Sequence, residues 1–424
     1  MFKQRNIITA IEIGTSKICV LVGECSGDTL AVIGRGEVDS DGAVVKGEIA
    51  AMDLALEKLI DALDQADDES GREINNSALF VVAVTGCAID SFQGVGTAFV
   101  QNEEQRIGIE EVTEALRNAQ IKPLPVDQKK ICLFDAYYMI DGARRVRNPL
   151  DQRAHKLEAY SHVIHGDSNR LENFRAILSD AGLEGEPEMV FSSMADALGI
   201  LTADERENGV LLVDLGAGTT EYAVVYNEGV LASGVFALGF EHVANDLAIG
   251  LNLPIAGCRK MLVDKTIEQM IRENRPFCEC RTNSGSMRRI PVESFQKIID
   301  ARLREIFELI HHKLMRESFW RNLAAGGVLT GGGALYFQTR DIFHQVCDLP
   351  SRIGVPYDLS GALTDLGDPR HSTVWGALRY GCERLRQMES IRRGGARGAV
   401  LNTIAEFGDV VSRKLKSWRR SVKF

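Results

Sequence analysis

Two short segments of the chain repeat one pattern, in which an acidic residue is followed closely by glycine. Residues 11–17 read IEIGTSK and residues 213–219 read VDLGAGT, so that Glu12 aligns with Asp214. Glycine turns expose backbone N–H groups that can hold phosphate. A carboxylate beside such a turn can hold Mg²⁺ through water, because this ion keeps much of its hydration shell. Two such turns facing each other would bind the phosphates of a nucleotide.

A third glycine turn, within VLTGGGALY, follows an apolar run and precedes a helical pattern. Glycines at such a place let the backbone approach a ligand closely. One glycine turn alone is usually only a turn, so the prediction depends on the combination of all three. The predicted nucleotide-binding residues are Glu12, Gly14, Thr15, Ser16, Lys17, Asp214, Gly216, Ala217, Gly218, Thr219, Thr220, Gly331, Gly332 and Gly333, with Glu12 and Asp214 holding Mg²⁺ through water.

Alternating strand and helix patterns surround these turns. The segments NIITAIEIG and ICVLVGE predict a hairpin, as does VLLVDLGAGTTEYAVVYNEG, and SSMADALGIL predicts a connecting helix that Ser192 or Ser193 could cap. Between about 85 and 164 a β-α-β-β pattern interrupts this alternation and predicts an inserted subdomain. The expected fold class is therefore α/β, with two related halves and an insert.

The amino-acid composition of the chain indicates which classes of protein it can belong to. The chain has 424 residues, of which 45% are apolar and 25% charged, as in ordinary globular proteins. Its net charge of −10 argues against a general nucleic-acid surface, so no nucleic acid is expected as a partner. The nine cysteines form no Cys-x-x-Cys pair, which predicts reduced thiols and no metal at Cys278 and Cys280. No apolar stretch is long enough to cross a membrane.

The last segment combines an apolar stripe with dense positive charge. Residues 412–424 carry six Lys or Arg and no acid, and apolar residues recur every three or four positions from Ile404. This composition is typical of an amphipathic helix at a membrane surface, and the alternative is a final helix packed on the protein's own core. The predicted membrane-binding residues are Phe407, Val411, Leu415, Trp418, Arg419, Arg420 and Val422.

These motifs follow one another in an order that resembles that of a known superfamily. Hairpin, connecting helix, second hairpin, TGGG turn and the small-residue helix STVWGALRYG resemble the five-part nucleotide signature of the actin, heat-shock chaperone and sugar kinase superfamily. Within it, IEIGTSKICVLVGE, TADERENGVLLVDLGAGTT and the ending KSWRRSVKF are similar to the FtsA family of bacterial division proteins. This resemblance implies ATP and Mg²⁺ as cofactors. It also implies polymers of the chain itself, FtsZ, other division proteins and anionic membrane lipids as partners. The implied location is the cytoplasmic side of the cell membrane at midcell, as a peripheral protein.

The resemblance also implies a division into subdomains. The expected ranges are 1–84 with 165–209 and 365–385 for the first actin-like half, 85–164 for the insert, 210–243 with 325–364 for the second half, 244–324 for a helical partner-binding subdomain, 386–399 for a linker, and 400–424 for the membrane-targeting amphipathic helix.

The chain departs from the family pattern near the nucleotide. Ala217 replaces the middle glycine of the second turn, and Glu221 stands where aspartate is common. In the segment 256–265, expected beside the nucleoside, Lys260 is the candidate contact. Ser192 occupies the position near which the relative MreB has a glutamate, and Asp196 is expected to be a capping or surface residue. Serine is a poor general base, so slow or absent ATP turnover is expected.

The helix VESFQKIIDARLREIFELIHHKL aligns with the region that the resemblance assigns to the FtsZ tail. Candidate cations for that partner are Arg288, Arg289, Lys297 and Arg302, although a core helix with a charged outer face would look the same. Two other functions remain open, a PilM-like pilus-assembly ATPase and a small-molecule kinase of the same fold. The basic amphipathic tail favours the division scaffold over both.

Overall fold

The structure, a computed structural model, describes residues 4–27, 29–121, 123–361 and 366–393. The first part of the chain forms a glycine hairpin, a third strand, one long helix and a further strand. The helix ends at Gly71, which adopts a φ of +61° that favours glycine. The bounds are β1 (Gln4–Ile13), β2 (Lys17–Ser26), β3 (Thr29–Asp39), the short pair β4 (Val44–Val45) and β5 (Glu48–Ile49), α1 (Met52–Ser70) and β6 (Ser77–Val84).

The insert follows directly after β6 and forms a sheet of its own. One helix packs on this sheet, and its small core is separate from the two main ones. The strand order is β7-β10-β8-β9, with β10 antiparallel to both β7 and β8. The bounds are β7 (Ile89–Phe99), α2 (Ile109–Ala119), β8 (Gln128–Ile140), β9 (Arg144–Val146) and β10 (Lys156–Asp167).

The chain then returns to the first half and crosses to the second. The helix predicted from SSMADALGIL forms, but it begins after Phe191 with no side-chain cap, so the prediction of a Ser192 or Ser193 cap is wrong. Ser192 instead donates its hydroxyl proton to the carbonyl of Val84 at 3.2 Å. The bounds are α3 (Ser168–Asp180), β11 (Glu188–Phe191), α4 (Ser192–Ile200), α5 (Ala203–Asn208), β12 (Val210–Leu215), β13 (Thr220–Tyr226) and β14 (Gly229–Phe236).

A mainly helical subdomain extends from the second half. It also contains a two-stranded hairpin, which the sequence reading as mostly helix missed because each strand has only five residues. The bounds are α6 (Phe240–Leu251), α7 (Ile255–Val263), α8 (Thr266–Arg272), β15 (Phe277–Arg281), β16 (Met287–Pro291) and α9 (Val292–Leu314).

The last described elements complete both halves. The final helix continues to Arg393, past Arg386 where the linker was predicted to begin, and residues 394–424 lie outside the described residues. The bounds are β17 (Gly326–Thr330), α10 (Thr339–Cys347), β18 (Ser351–Ile353), β19 (Ser360–Gly361) and α11 (Ser372–Arg393).

The two main sheets share one topology. The first has the order β11-β6-β1-β2-β3-β19 and the second β14-β13-β12-β17-β18. In each sheet, the first strand of a hairpin (β1 or β12) pairs with a parallel strand (β6 or β17). The second strand of that hairpin (β2 or β13) pairs with an antiparallel third strand (β3 or β14). The near-repeat in the sequence thus corresponds to a repeat in the fold, and the predicted α/β architecture of two related halves with an insert is confirmed.

Helix α11 packs in the core of the first half. It packs on α4, β1 and β6, and Trp375 is 1% exposed in this core. At Gly376 the two helices approach so closely that a Cβ would lie 1.8 Å from the carbonyl oxygen of Ala195. A disulfide joins Cys25 to Cys382, so the expectation of fully reduced cysteines is wrong for this pair.

Candidate functional site

Strand register places the two repeated acids at equivalent positions. Glu12 pairs with Cys19 across the first hairpin, and Asp214 pairs with Glu221 across the second. Both acids therefore lie at the turn end of a central strand, and the second hairpin carries an additional acid where the first has a cysteine. The first turn is closed by glycine, since Gly14 donates its N–H to the carbonyl of Lys17 at 2.9 Å.

The hairpins face each other across a cleft between the halves with a volume of 1060 Å³. Ordinary ligand pockets measure about 300–1,000 Å³, so this cleft can hold a nucleotide. Every predicted nucleotide-binding residue except two lines it. Thr220 lies outside the lining and donates its hydroxyl proton to the carbonyl of Leu238 at 2.8 Å. Lys260 is exposed and also lies outside the lining, although its neighbour Arg259 belongs to it.

Two glycines are required where the hairpins and the third turn meet. A Cβ on Gly218 would lie 2.3 Å from Oγ1 of Thr15, so the two hairpins are in contact. Gly331 has a φ of +79°, and a Cβ there would lie 2.1 Å from Oδ1 of Asp214. Any larger residue at either position would push the cleft walls apart.

One wall of the cleft carries a charged network. Lys17, a predicted phosphate contact, lies with its Nζ 3.0 Å from Oε2 of Glu37. The same oxygen lies 2.8 Å from Nε2 of His371. The hydrogen bond from His371 holds the pKa of Glu37 well below its usual range. Glu37 therefore stays ionised and holds Lys17 at the cleft wall.

The floor of the cleft is strongly acidic. Carboxylate oxygens of Asp196, Asp214 and Glu221 lie within 4.8 Å of one another, and all three side chains are buried. Burial and the neighbouring carboxylates raise the pKa of Asp196 and of Asp214, and burial raises that of Glu221. Burial also raises the pKa of Glu12 to about 7.

The position of Asp196 in the structure differs from the one expected from the sequence. It is 0% exposed, so the prediction that it is a capping or surface residue is wrong. The helix α4 is apolar or small at nearly every position, and a single acid within such a helix is the sequence signal that could have revealed its role. Thr85 was missed as well: it donates a hydrogen bond to Glu221, and no local pattern indicates this contact.

These residues fit a magnesium nucleotide. Oε2 of Glu12 is buried and has no hydrogen-bond partner among the described residues. The turn glycines expose backbone donors, and the acids lie between the two hairpins. This donor set is the one that a hydrated hard cation and phosphate oxygens require.

The four candidate partner-binding cations do not form one surface. Arg288 and Arg289 are both exposed but adjacent on β16, so they point to opposite faces of the hairpin. Arg289 lies 4.7 Å from the ring centroid of Phe277. Lys297 is exposed and pairs with Glu293 on its own helix at 2.6 Å.

Arg302 is already engaged within the subdomain. It makes hydrogen bonds of 2.7 and 3.0 Å to the two oxygens of Asp246 and also contacts Glu305. Its guanidinium therefore has a structural role, and Arg289 is the better placed of the four for a partner.

The predicted membrane-binding residues, from Phe407 to Val422, lie outside the described residues. Within the part of the chain that the structure describes, no helix is both long and apolar enough to span a bilayer.

Comparison with known sequences identifies the family. The family model described as "Cell division protein FtsA" matches residues 211–376, and the one described as "SHS2 domain inserted in FTSA" matches residues 86–165. The cell division protein FtsA of Borreliella burgdorferi is 28% identical over 98% of both chains. That of Pseudomonas aeruginosa is 28% identical over 89% of this chain and 90% of the relative, and that of Escherichia coli K12 is 26% identical over 89% and 91%.

Solved structures give the same fold. A PilM–PilN type IV pilus biogenesis complex superposes with a TM-score of 0.59 at 16% identity, covering 88% of this chain and 98% of that chain. MreB5 of Spiroplasma citri bound to AMPPNP superposes with a TM-score of 0.54 at 13% identity, covering 91% and 98%. Identities this low establish only the fold. The two matched FtsA models, which span the insert and the second half, together with the FtsA relatives that match most of the chain, show that the chain belongs to the FtsA family of actin-like cell division proteins.

Proposed function

We propose that this protein binds Mg·ATP between its two halves, assembles on the cytoplasmic face of the cell membrane at midcell and anchors FtsZ filaments there with other division proteins. The observation that carries the proposal is the cleft. Two hairpins of equal register and a third glycine turn converge on it, although they are far apart in the sequence.

Nucleotide binding follows from what lines the cleft. The backbone N–H groups of the turns and the hydroxyls of Thr15 and Thr219 are suited to phosphate oxygens. Mg²⁺ would offset the phosphate charge, and Glu12 and Asp214 would hold it through water. MreB5 of Spiroplasma citri, which has the same fold, is bound to AMPPNP, and this supports nucleotide binding by the fold.

Turnover is expected to be slow or absent. Ser192 begins α4 at the edge of the cleft, and its hydroxyl is already donated to a backbone carbonyl. A serine hydroxyl is a weak base at neutral pH, so it would activate an attacking water poorly. ATP would then act mainly by holding the halves together.

Membrane attachment is proposed from the sequence of the tail. Its apolar stripe would lie in the acyl boundary while its cations contact anionic headgroups, each contributing about 1 kcal/mol. For the FtsZ tail, an acidic and apolar peptide, the outer face of the β15–β16 hairpin offers Arg289 beside the exposed side chains of Phe277 and Met287. The insert is proposed to take part in contacts between copies of the chain.

The test is flotation with anionic liposomes, with and without purified FtsZ. The variants are Trp418→Glu, Trp418→Phe as the matched control, and a chain ending at Arg397. The full chain and the Phe variant should float and carry FtsZ with them. The Glu variant and the shortened chain should stay at the bottom yet still bind ATP, because a charge at the acyl boundary costs a few kcal/mol. If the shortened chain floats as well as the full one, the tail is not the anchor.

A further inference from the structure

Lys46 lies in the two-residue turn between the short strands β4 and β5. Its φ is +52°, a left-handed backbone conformation that residues other than glycine rarely adopt, and Gly47 follows with a φ of +76°. Backbone strain of this kind persists only where the surrounding structure imposes it, and it is concentrated at ligand sites. The position of this lysine therefore calls for a functional explanation.

The turn is inserted between the two glycine hairpins. On one side, Gly47 donates its N–H to Oγ1 of Thr15 in the first hairpin at 3.0 Å. On the other side, a Cβ on Gly218 of the second hairpin would lie 2.9 Å from Cα of Lys46. The turn thus contacts both predicted phosphate-binding turns at the place where the two halves of the protein meet.

The side chain of Lys46 lines the cleft and acts on the second half. Its neighbour across the cleft is His242, in the first turn of α6, which also lines the cleft. Burial lowers the pKa of His242, and the positive charge of Lys46 lowers it further. Lys46 therefore belongs to the first half by its backbone, while its ammonium group faces residues of the second half.

The charge of Lys46 is available to a ligand, unlike that of most cations in the cleft. Three other cations that line the cleft are each paired with a carboxylate of the same lining: the pairs are Lys17–Glu37, Arg259–Glu241 and Arg370–Asp368. Lys46 has no ion pair or side-chain hydrogen bond among the described residues. Glu48, two positions along the chain, contacts Arg170 instead. An anion that enters the cleft would therefore find this ammonium group unpaired.

The lining of the cleft indicates which part of a nucleotide reaches Lys46. The helical subdomain contributes apolar side chains that suit a base: these are Met261, Leu262, Ile267 and Ile299. With the base there, the phosphates extend toward the hairpin turns. The last phosphate of the chain is then the one that lies where the two turns meet, beside Lys46.

We propose that Lys46 binds the terminal phosphate of a nucleoside triphosphate and makes the cleft prefer ATP over ADP. Lysine ammonium groups commonly bind phosphate as point charges. The inference rests on the proposed nucleotide binding and names the residue that detects the third phosphate. Because Lys46 comes from the first half and acts across the cleft, this contact would hold the halves together only while the triphosphate is bound.

The experiment is calorimetric titration of the nucleotide-free, full-length protein with Mg·ATP and, separately, with Mg·ADP. Lys46→Gly removes the ammonium group and also relieves the strained φ, so this variant should fold at least as stably as wild type. It should bind Mg·ATP about tenfold more weakly, as expected for loss of a charged hydrogen bond, and Mg·ADP within about twofold of wild type. Lys46→Arg keeps the charge and should retain most of the preference for ATP.

Lys265 provides a matched control. It also lines the cleft, has a φ of +53° and has no side-chain ion pair among the described residues, but it precedes α8 in the helical subdomain. Lys265→Gly should leave the ratio of ATP affinity to ADP affinity as in wild type, because it lies beside the base. An equal fall of this ratio in Lys265→Gly and Lys46→Gly would overturn the inference, since any cation of the cleft would then have the same effect.

The outcomes separate this inference from the proposed function. If Lys46→Gly binds Mg·ATP as tightly as wild type does, Lys46 does not bind the terminal phosphate, and nucleotide binding itself is unaffected. If wild type binds neither Mg·ATP nor Mg·ADP, the proposed nucleotide function is refuted, and the inference with it. Lys46→Gln, which removes the charge but keeps a side chain, replaces Lys46→Gly if the glycine variant fails to fold.

Discussion

Replacing Asp214 by asparagine should change stability and nucleotide affinity in opposite directions. The side chain keeps its shape, so the contact with Gly331 is preserved, but one negative charge leaves the cluster. Two unit charges 4.8 Å apart at an effective dielectric constant of about 20 repel by about 3.5 kcal/mol. Because the cluster can take up a proton instead, we expect only about 1–2 kcal/mol of this as a gain in the free energy of unfolding.

ATP affinity should fall in the same variant. Asp214 lies at the turn end of β12, beside the predicted phosphate-binding turn, and is a proposed water-mediated magnesium ligand. Losing its charge removes that interaction, and we expect at least a tenfold weaker Kd, which is about 1.4 kcal/mol.

The assay combines urea unfolding in chelator, without nucleotide, with calorimetric titration of Mg·ATP. Asp61→Asn is the control and should change the free energy of unfolding by less than about 0.5 kcal/mol. If Asp214→Asn binds Mg·ATP as tightly as wild type, Asp214 does not hold the ion. If the variant is less stable than wild type without nucleotide, repulsion between the carboxylates does not destabilise the fold.

Two further predictions concern pH and the partner surface. With a pKa raised to about 7, Glu12 is mostly protonated at pH 6 and ionised at pH 8, so Mg·ATP affinity should rise over that range. In Glu12→Gln, the increase in Mg·ATP affinity between pH 6 and pH 8 should be smaller than in wild type. The same shift makes the nucleotide-free fold bind a proton that the unfolded chain releases above about pH 4.5, so the free energy of unfolding should fall between pH 4.5 and 7. A peptide with the acidic, apolar character of the FtsZ tail should bind at least fivefold more weakly to Arg289→Glu, measured by fluorescence anisotropy. Arg288→Glu, which changes the same charge on the opposite face of the hairpin, should bind nearly as wild type does, and equal losses in both variants would contradict the assignment.

The sequence by itself determined the features that depend on neighbouring residues. The glycine turns, the apolar runs before them and the near-repeat of residues 11–17 and 213–219 predicted two hairpins, because turn geometry and strand periodicity are local properties. The β-α-β-β insert was likewise readable from its pattern. The basic amphipathic tail is also a local pattern, and its predicted role is still a prediction from sequence.

Only the tertiary structure decided which residues meet at the cleft floor. Asp196 lies in the first half and Asp214 in the second, and burial of α4 against α11 is what turns a single acid in an apolar helix toward the hairpin. The surroundings of Arg288 and Arg289 also depend on the fold, because neighbouring residues of a strand point to opposite faces. Charge and glycine content can be read from the sequence, but the distance between Asp196 and Asp214, which are separated by the end of α4, by α5 and by most of β12, is set by packing.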